Sequence, residues 1–250
     1  MENSSTTGIK YPAGLFRRAV AERTLVVDGA MGTMLQAQNP SLEDFQGLEG
    51  CNEILNVSRP DIVAEVHRQY LQAGVDAVET NTFGANFANL SEYDIADRIY
   101  ELSKAGAQIA REACDQYSKT NNVHRFVIGS MGPGTKLPTL GHIDYSSLKE
   151  AYQLNAQGLI DGGADALLIE TAQDLLQVKA AVNGAREAIA DSGRDVFLMA
   201  QVTVETTGTM LVGSEIGAAL NAIYDLGIDS IGLNCATGPA EMSEHLRYLS

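Results

Sequence analysis

One pattern occurs three times in this chain: a helix ends at a glycine, an aspartate follows two residues later, and a short apolar strand then ends in polar residues. The segments read GVDAVETNTF from Gly74, GADALLIETA from Gly163 and GIDSIGLNCA from Gly227. The polar pairs stand at the same distance from the three glycines and are Asn81 and Thr82, Glu170 and Thr171, and Asn234 and Cys235. Because α/β barrels carry their binding residues at strand ends, the pattern favours a barrel.

Apolar periodicity extends this alternation along the chain. It predicts six strands, which read LVVDG, AVET, FVIGSMG, ALLIET, VFLMAQVTV and SIGLN, with helices between them. Parallel neighbours need such crossover helices. The final helical segment, PAEMSEHLRYLS, has no glycine cap or proline after it. We therefore expect an α/β fold of the (βα)8 TIM-barrel type, truncated after about six strand–helix units.

A doubly wound open sheet is the alternative fold. It would bind its ligand at one topological switch point, whereas here polar residues end nearly every strand, which favours the barrel. Composition suggests one domain over residues 21–250, with its C-terminal part missing, preceded by a flexible N-terminal segment, residues 1–20. No apolar stretch is long enough to span a bilayer, and no signal peptide is recognisable.

The composition also limits the partners. A net charge of −15 argues against nucleic acid and anionic membranes, which are bound through Lys and Arg. The cysteines at positions 51, 114 and 235 are odd in number and far apart, so they fit a reducing compartment better than a disulfide framework. We expect a cytoplasmic protein.

Several strand-end residues are candidates for chemistry. Asp28 and Gly29 follow the first strand, where Asp28 can accept from an amine or merely cap the next helix. A carboxylate such as Glu170, after an apolar strand, suits a cation, a substrate amine or a base, and its structural alternative is a buried salt bridge. Cys235 is the thiol at a strand end, although a free cysteine is often inert packing.

Side-chain alternation divides the end of the second predicted strand. Glu79 and Asn81 are expected to face one way and Thr80 and Thr82 the other, so that one of these sets points at the ligand. No histidine or lysine ends a strand, which counts against a Cys/His nucleophilic pair, a His-rich metal site and a Schiff-base lysine.

Taken together, the motifs resemble the homocysteine S-methyltransferase family. The segments that carry the resemblance are DGAMGT from Asp28, ETNTF from Glu79, GSMGP from Gly129, IET from Ile169 and GLNCATGP from Gly232. The DGAMGTMLQ opening, KLPTLGHIDY and the NCATGPAEMSEHLRYL ending look most like the N-terminal homocysteine-binding module of cobalamin-dependent methionine synthases. The match covers nearly the whole chain after residue 20.

The resemblance implies a role for each matching residue. Cys235 corresponds to a zinc ligand and is the implied catalytic residue, while Asp28 and Glu170 correspond to the carboxylates that hold the substrate amino group. The loop from Glu79 to Thr82 would line the amino-acid pocket, and Gly29, Thr80, Asn81 and Asn234 complete the implied substrate-binding set. Cys51 and Cys114 match no family ligand.

One feature of the family is absent. The family completes its zinc site with an adjacent Cys-Cys pair after the last strand, and this sequence ends before any such pair. A catalytic zinc site uses three protein ligands, so one cysteine does not form it. The resemblance therefore implies either the front of a longer protein or a fragment that is inactive alone.

The resemblance also implies a reaction. Zinc would bind homocysteine sulfur and lower its pKa, which prepares the thiolate as a nucleophile. The methyl group would come from methylcobalamin on another module, with downstream folate- and cobalamin-binding modules in the same protein. The alternatives are a cobalamin-independent homocysteine methyltransferase that uses S-methylmethionine or betaine, and a non-catalytic fragment that only binds an amino acid.

Overall fold

The computed structural model describes residues 14–250, in which helices alternate with a parallel sheet. The strands are β1 (Ala77–Glu79), β2 (Phe126–Met131), β3 (Ala166–Ala172), β4 (Phe197–Val202) and β5 (Ser230–Leu233). The helices are α1 (Leu15–Glu22), α2 (Met31–Ala37), α3 (Leu55–Ser58), α4 (Pro60–Ala73), α5 (Phe87–Ser91), α6 (Ile99–Asn121), α7 (Tyr145–Asp161), α8 (Leu175–Ser192), α9 (Ile216–Ile223) and α10 (Pro239–Leu249).

The strands lie side by side in the order in which they occur in the chain. Each pairs in parallel with the next, for example Val78 with Val127 and Leu167 with Leu198. This order, β1-β2-β3-β4-β5, has no point at which the strand order reverses. A doubly wound sheet requires such a reversal, so the described sheet has the topology of a (βα) barrel that is open in this part of the chain.

The prediction of six strands was wrong at its first member. Val27 forms one isolated parallel bridge with Ala77 and no strand. The reason lies in Asp28, whose backbone N–H donates to the Ala77 carbonyl while its side-chain Oδ1 accepts from the N–H of Glu79 at 2.9 Å. Because a side-chain oxygen takes the place of a backbone carbonyl at that point, the backbone ladder ends there.

The repeated glycine and aspartate have a structural role. Gly74 ends α4 with a φ of 101°, in the left-handed region that favours glycine. The aspartates Asp76, Asp165 and Asp229 then each accept a hydrogen bond from the backbone N–H of a residue in the adjacent strand segment, at Val26, Val127 and Leu198 respectively. Each aspartate also pairs with an arginine, namely Arg23, Arg111 and Arg17. The repeat therefore anchors the start of three strands.

The two faces of the sheet bury different clusters. Leu167, Ile169 and Leu198 pack outward against the helices in the large core. The alternate positions, including Phe126, Ile128, Leu168 and Phe197, pack inward in a second cluster. This period-two division is the one expected of a barrel, with helices outside and a filled interior.

The N-terminal helix α1 packs against the interior cluster at the amino ends of β2 and β4. Phe16 of α1 stacks edge-on against Phe126 with ring centroids 5.1 Å apart and lies 5.4 Å from Phe197. The expectation of a flexible segment over residues 1–20 therefore fails from Leu15 onward, because burial of Phe16 holds this helix in place. Residues 1–13 lie outside the described residues. Within residues 14–250, no helix is long and apolar enough to cross a membrane.

Candidate active site

The inner face carries one polar side chain at the carboxyl end of every strand. The inward positions above the buried cluster are Glu79 of β1, Ser130 of β2, Glu170 of β3, Gln201 of β4 and Asn234 directly after β5. All five line a single cavity of about 520 Å³. The strands are parallel, so their carboxyl ends meet at one edge, and this edge is where the barrel fold places its sites.

Loops above the strands complete the cavity wall. The turn after the first bridge contributes Gly29, Ala30, Met31 and Gly32, and the loop after β1 contributes Thr80, Asn81, Thr82 and Phe83. Gly29 packs closely on a neighbour, because an added Cβ would lie 3.3 Å from the Tyr70 hydroxyl. Cys235 and the residues Asn52 and Glu53 complete the lining.

Asp28, Glu79 and Glu170 bring three mutually interacting carboxyl groups to this site. Asp28 lies behind the wall, where Oδ1 accepts from the Glu79 N–H and the buried Oδ2 has no hydrogen-bond partner. Burial raises the pKa of Asp28 to about 7, against the hydrogen bonds that lower it. Burial, with the negative charges of Glu170 and Asp28, raises the pKa of Glu79 to about 8. The pKa of Glu170 is also raised by burial.

No described residue that lines the cavity is a lysine, arginine or histidine. Glu170 receives neutral donors instead: the Ser130 hydroxyl lies 2.5 Å from Oε1, and Asn234 Nδ2 donates to Oε2 at 3.3 Å. The buried salt bridge considered for Glu170 is therefore not formed among the described residues. Crowded carboxylates without a counter-charge favour a cationic group in the cavity, and an ammonium group has the donors to match them.

Cys235 lies at the cavity wall beyond Asn234. Its thiol is exposed, 3.6 Å from the Thr171 hydroxyl and 3.5 Å from Asn234 Nδ2. Cys235 and Ala236 both have left-handed backbone, with φ of 58° and 56°. Non-glycine residues in this region are uncommon and cluster at functional sites, and here the turn holds the thiol in the cavity wall.

The other two cysteines are unsuited to ligation. Burial and the nearby Glu53 raise the pKa of Cys51 to about 11, and burial raises the pKa of Cys114 to about 12. Cys114 donates to the carbonyl of Phe126 inside the core. Since metals bind the thiolate, these side chains act as small buried groups.

The loop after β1 uses most of its polar groups internally. Asn81 Nδ2 donates to the Asn52 carbonyl at 2.8 Å and to Asn56 Oδ1 at 3.0 Å. Thr80 and Thr82 face each other with hydroxyl oxygens 2.5 Å apart. Alternation predicted that Glu79 and Asn81 would face the same way. Their side chains diverge instead: the Glu79 carboxyl faces Asp28 and Glu170, while the Asn81 amide is hydrogen-bonded to the loop that carries Asn52 and Asn56.

Sequence reasoning missed Ser130, Gln201 and Glu53. Ser130 and Gln201 could have been found by counting alternate positions from the buried Phe126 and Phe197. Glu53 precedes an apolar helix far from any strand end, and no local signal marks it. Its carboxyl is buried at the cavity wall, accepts from the Gly84 N–H at 2.7 Å, and has a pKa raised by that burial.

Metal-binding geometry is incomplete in this part of the protein. Among residues 14–250, no group of three or more His, Cys, Asp or Glu side chains is arranged to hold a metal ion. Cys235 alone combines a thiol, exposure and a place in the cavity wall. Residues 14–250 therefore offer one exposed thiol at the cavity rather than a finished metal site.

Comparison with known proteins identifies relatives in sequence. The family model described as homocysteine S-methyltransferase matches residues 25–250. The chain is 62% identical over 231 residues to the methionine synthase of Mycobacterium tuberculosis (strain ATCC 25618 / H37Rv) and to that of Mycobacterium leprae (strain TN). Both alignments cover 92% of this chain but 19% of the relative, so the chain spans about a fifth of their length.

Solved structures agree on the fold. The metallated form of the homocysteine methyltransferase MmuM from Escherichia coli matches with a TM-score of 0.76 at 20% identity, covering 94% of this chain and 83% of that one. Its oxidized form matches with a TM-score of 0.74 at 21% identity, covering 93% and 82%. Sequence, fold and strand-end motifs lead to one conclusion: the chain belongs to the homocysteine S-methyltransferase family.

Proposed function

We propose that this chain is the homocysteine-binding module of a methionine synthase, and that its cavity holds homocysteine for transfer of a methyl group to sulfur. One observation carries the proposal: the partly buried carboxyl groups of Asp28, Glu79 and Glu170 and the exposed thiol of Cys235 meet at a cavity without a described lysine or arginine in its wall. The family and the 62% identity to two methionine synthases support it.

The amino group is assigned to the carboxyl cluster. Glu170 faces the cavity with one oxygen near Ser130 and the other near Asn234, and the carboxyl groups of Asp28 and Glu79 lie close enough to interact with it. An ammonium group placed there replaces mutual repulsion by attraction and donates charge-assisted hydrogen bonds. Gly29, Thr80 and Asn81 form the wall around the amino acid in this proposal.

The sulfur is assigned to the side of Cys235. Asn234 joins the two halves of the site, because its amide contacts both Glu170 and the Cys235 thiol. We propose zinc as the metal, with Cys235 as one ligand and the remaining ligands supplied from outside these 250 residues. A bound zinc ion lowers the pKa of a ligated thiol, so that homocysteine reacts as a thiolate.

The methyl donor is proposed to be methylcobalamin on another module, with further folate- and cobalamin-binding modules in the same protein. Support comes from the share of the relatives that this chain spans, 19%, which leaves most of their length for other parts. Donors such as S-methylmethionine or betaine are the alternative, and the DGAMGTMLQ opening and the NCATGPAEMSEHLRYL ending favour methylcobalamin over them. We also propose a cytoplasmic location, consistent with three cysteines that form no disulfide.

The experiment is a calorimetric titration of the full-length protein with homocysteine, followed by a methionine assay with methylcobalamin, S-methylmethionine or betaine as donor. We expect binding and methionine formation with methylcobalamin only. Methionine formation from S-methylmethionine or betaine would support the cobalamin-independent alternative. Binding without any turnover would reduce the proposal to an amino-acid-binding module, and the absence of homocysteine binding would overturn it.

A further inference from the structure

Side chains continue the pairing of β1 with β2 beyond the end of β1. The last backbone bond is donated by the Thr80 N–H to the Ile128 carbonyl at 3.0 Å. Beyond it, the Ser130 N–H donates to Thr80 Oγ1 at 3.0 Å, and the Thr82 hydroxyl donates to the Ser130 carbonyl at 2.7 Å. With the contact between Thr80 and Thr82, these groups form a closed hydroxyl ring around the Ser130 backbone.

Each bond of the hydroxyl ring can run in only one direction. A carbonyl accepts and never donates, so the single proton of Thr82 is committed to Ser130 O. Thr82 must therefore accept from Thr80, whose own oxygen accepts from the Ser130 N–H. All three residues are buried, so water does not compete for these groups. Both the N–H and the carbonyl of Ser130 are therefore hydrogen-bonded, and these bonds fix the orientation of the Ser130 backbone.

The Ser130 hydroxyl is the one group of this residue that the hydroxyl ring does not use. It lies 2.5 Å from Glu170 Oε1. Two residues further on, an added Cβ at Gly132 would lie 2.3 Å from the Phe83 carbonyl, so the two loops are in close contact. The residues after β1 thus hold the Ser130 backbone, and the Ser130 hydroxyl lies against the carboxyl group of Glu170.

We propose that Ser130 is a positioning residue that presents Glu170 to the ammonium group of the substrate, and that Thr80 and Thr82 act on the site only through Ser130. The inference rests on the proposed function. Glu170 faces two other carboxyl groups, Asp28 and Glu79, and it alone of the three receives side-chain donors among the described residues. Ser130 thereby makes Glu170 the carboxylate that meets the substrate in its charged form.

The test uses two ligands that differ only in the amino group, homocysteine and 4-mercaptobutanoate, titrated into the full-length protein and its variants. In Ser130→Ala we expect homocysteine affinity to fall by about tenfold, the scale of one hydrogen bond to a charged group. Affinity for 4-mercaptobutanoate should change by less than about twofold, because that ligand makes no contact with Glu170 through an amine.

Thr82→Val provides a second, nearly isosteric variant. It should weaken homocysteine binding in the same selective way, and the double variant Ser130→Ala, Thr82→Val should bind like Ser130→Ala alone, since Thr82 acts through Ser130. Ser103→Ala is the matched control, because Ser103 is an equally buried hydroxyl that donates to the Ile99 carbonyl and accepts from Asn155 Nδ2, and neither it nor these partners line the cavity. It should leave the affinity for both ligands unchanged.

Equal losses for the two ligands in Ser130→Ala would overturn the positioning role and indicate general damage to the cavity. Unchanged homocysteine affinity in that variant, or additive losses in the double variant, would overturn it as well. If the unaltered protein bound 4-mercaptobutanoate and homocysteine equally, the assignment of the ammonium to Glu170 would itself fail, and the role of Ser130 with it.

Discussion

Asn234 holds Thr171 by both ends of its amide. Oδ1 accepts from the Thr171 N–H at 2.9 Å, and Nδ2 donates to the Thr171 hydroxyl at 2.8 Å. Thr171 needs such support because its φ is 56°, a left-handed conformation that is costly for a β-branched residue. These two hydrogen bonds thus join β3, which carries Glu170, to the turn that carries Cys235.

Replacement of Asn234 by alanine should therefore destabilise the fold as well as the site. The two hydrogen bonds to Thr171 are lost, together with the longer one to Glu170, so we expect the free energy of unfolding to fall by about 1–3 kcal/mol. Denaturant unfolding measures this change, with Asn121→Ala as control, since Asn121 only donates to Tyr117 in its own helix. A loss no larger than that of the control would show that the hydrogen bonds between Asn234 and Thr171 do not stabilise the fold.

Glu170→Gln should weaken homocysteine binding and leave metal content unchanged. The substitution removes a charge-assisted bond worth about 1.5–3 kcal/mol, which corresponds to about one to two decades in affinity. Calorimetric titration of the full-length protein measures the affinity, with zinc determined in parallel. Glu187→Gln serves as control because Glu187 pairs with Lys149 at the exposed surface. Full affinity in Glu170→Gln would argue against the ammonium site.

Cys235→Ala should show the opposite pattern. We expect loss of bound zinc and of methionine formation in the full-length protein, with the fold intact, because the thiol is exposed and packs no core. Metal analysis and circular dichroism provide the two readouts. Cys51→Ala is the matched control and should retain zinc, since the raised pKa of Cys51 disfavours its thiolate. Normal zinc content in Cys235→Ala would refute the ligand assignment.

Stability should decrease with rising pH through the titration of Asp28. Its pKa is raised from 3.8 to about 7, so between these values the folded state holds a proton that the unfolded state has lost. The stabilisation is complete below about pH 4 and is lost as pH rises to about 7. Denaturant unfolding of the ligand-free protein across this range should show a smaller decline in Asp28→Asn. An unchanged slope would show that Asp28 does not titrate there.

The order of elements was predictable from sequence because it depends on local patterns. The helices expected between the predicted strands include α4, α7 and α8, since apolar period and glycine caps are read along the chain. Glu79, Glu170 and Asn234 were found in the same way, as polar residues after apolar strands. The parallel crossovers then required their convergence at one edge of the sheet.

Contacts between distant segments were beyond reach of the sequence alone. No local pattern shows that Asp28 replaces a backbone acceptor and ends the first strand at a single bridge, or that Phe16 reaches the interior cluster. The burial that raises the pKa of Asp28 and Glu79 likewise depends on which groups surround them.

The chain by itself thus determines the alternation of helix and strand and the chemical type of each strand end, because both depend on residues near one another. Only the tertiary structure decides which of those side chains share a hydrogen bond. Ser130 is an example: alternation along β2 places its side chain on the inner face, but only the folded sheet brings its backbone to Thr80 and its hydroxyl to Glu170. Which side chains hydrogen-bond to each other depends on distances of a few ångströms between strands, and these distances are set only when the sheet folds.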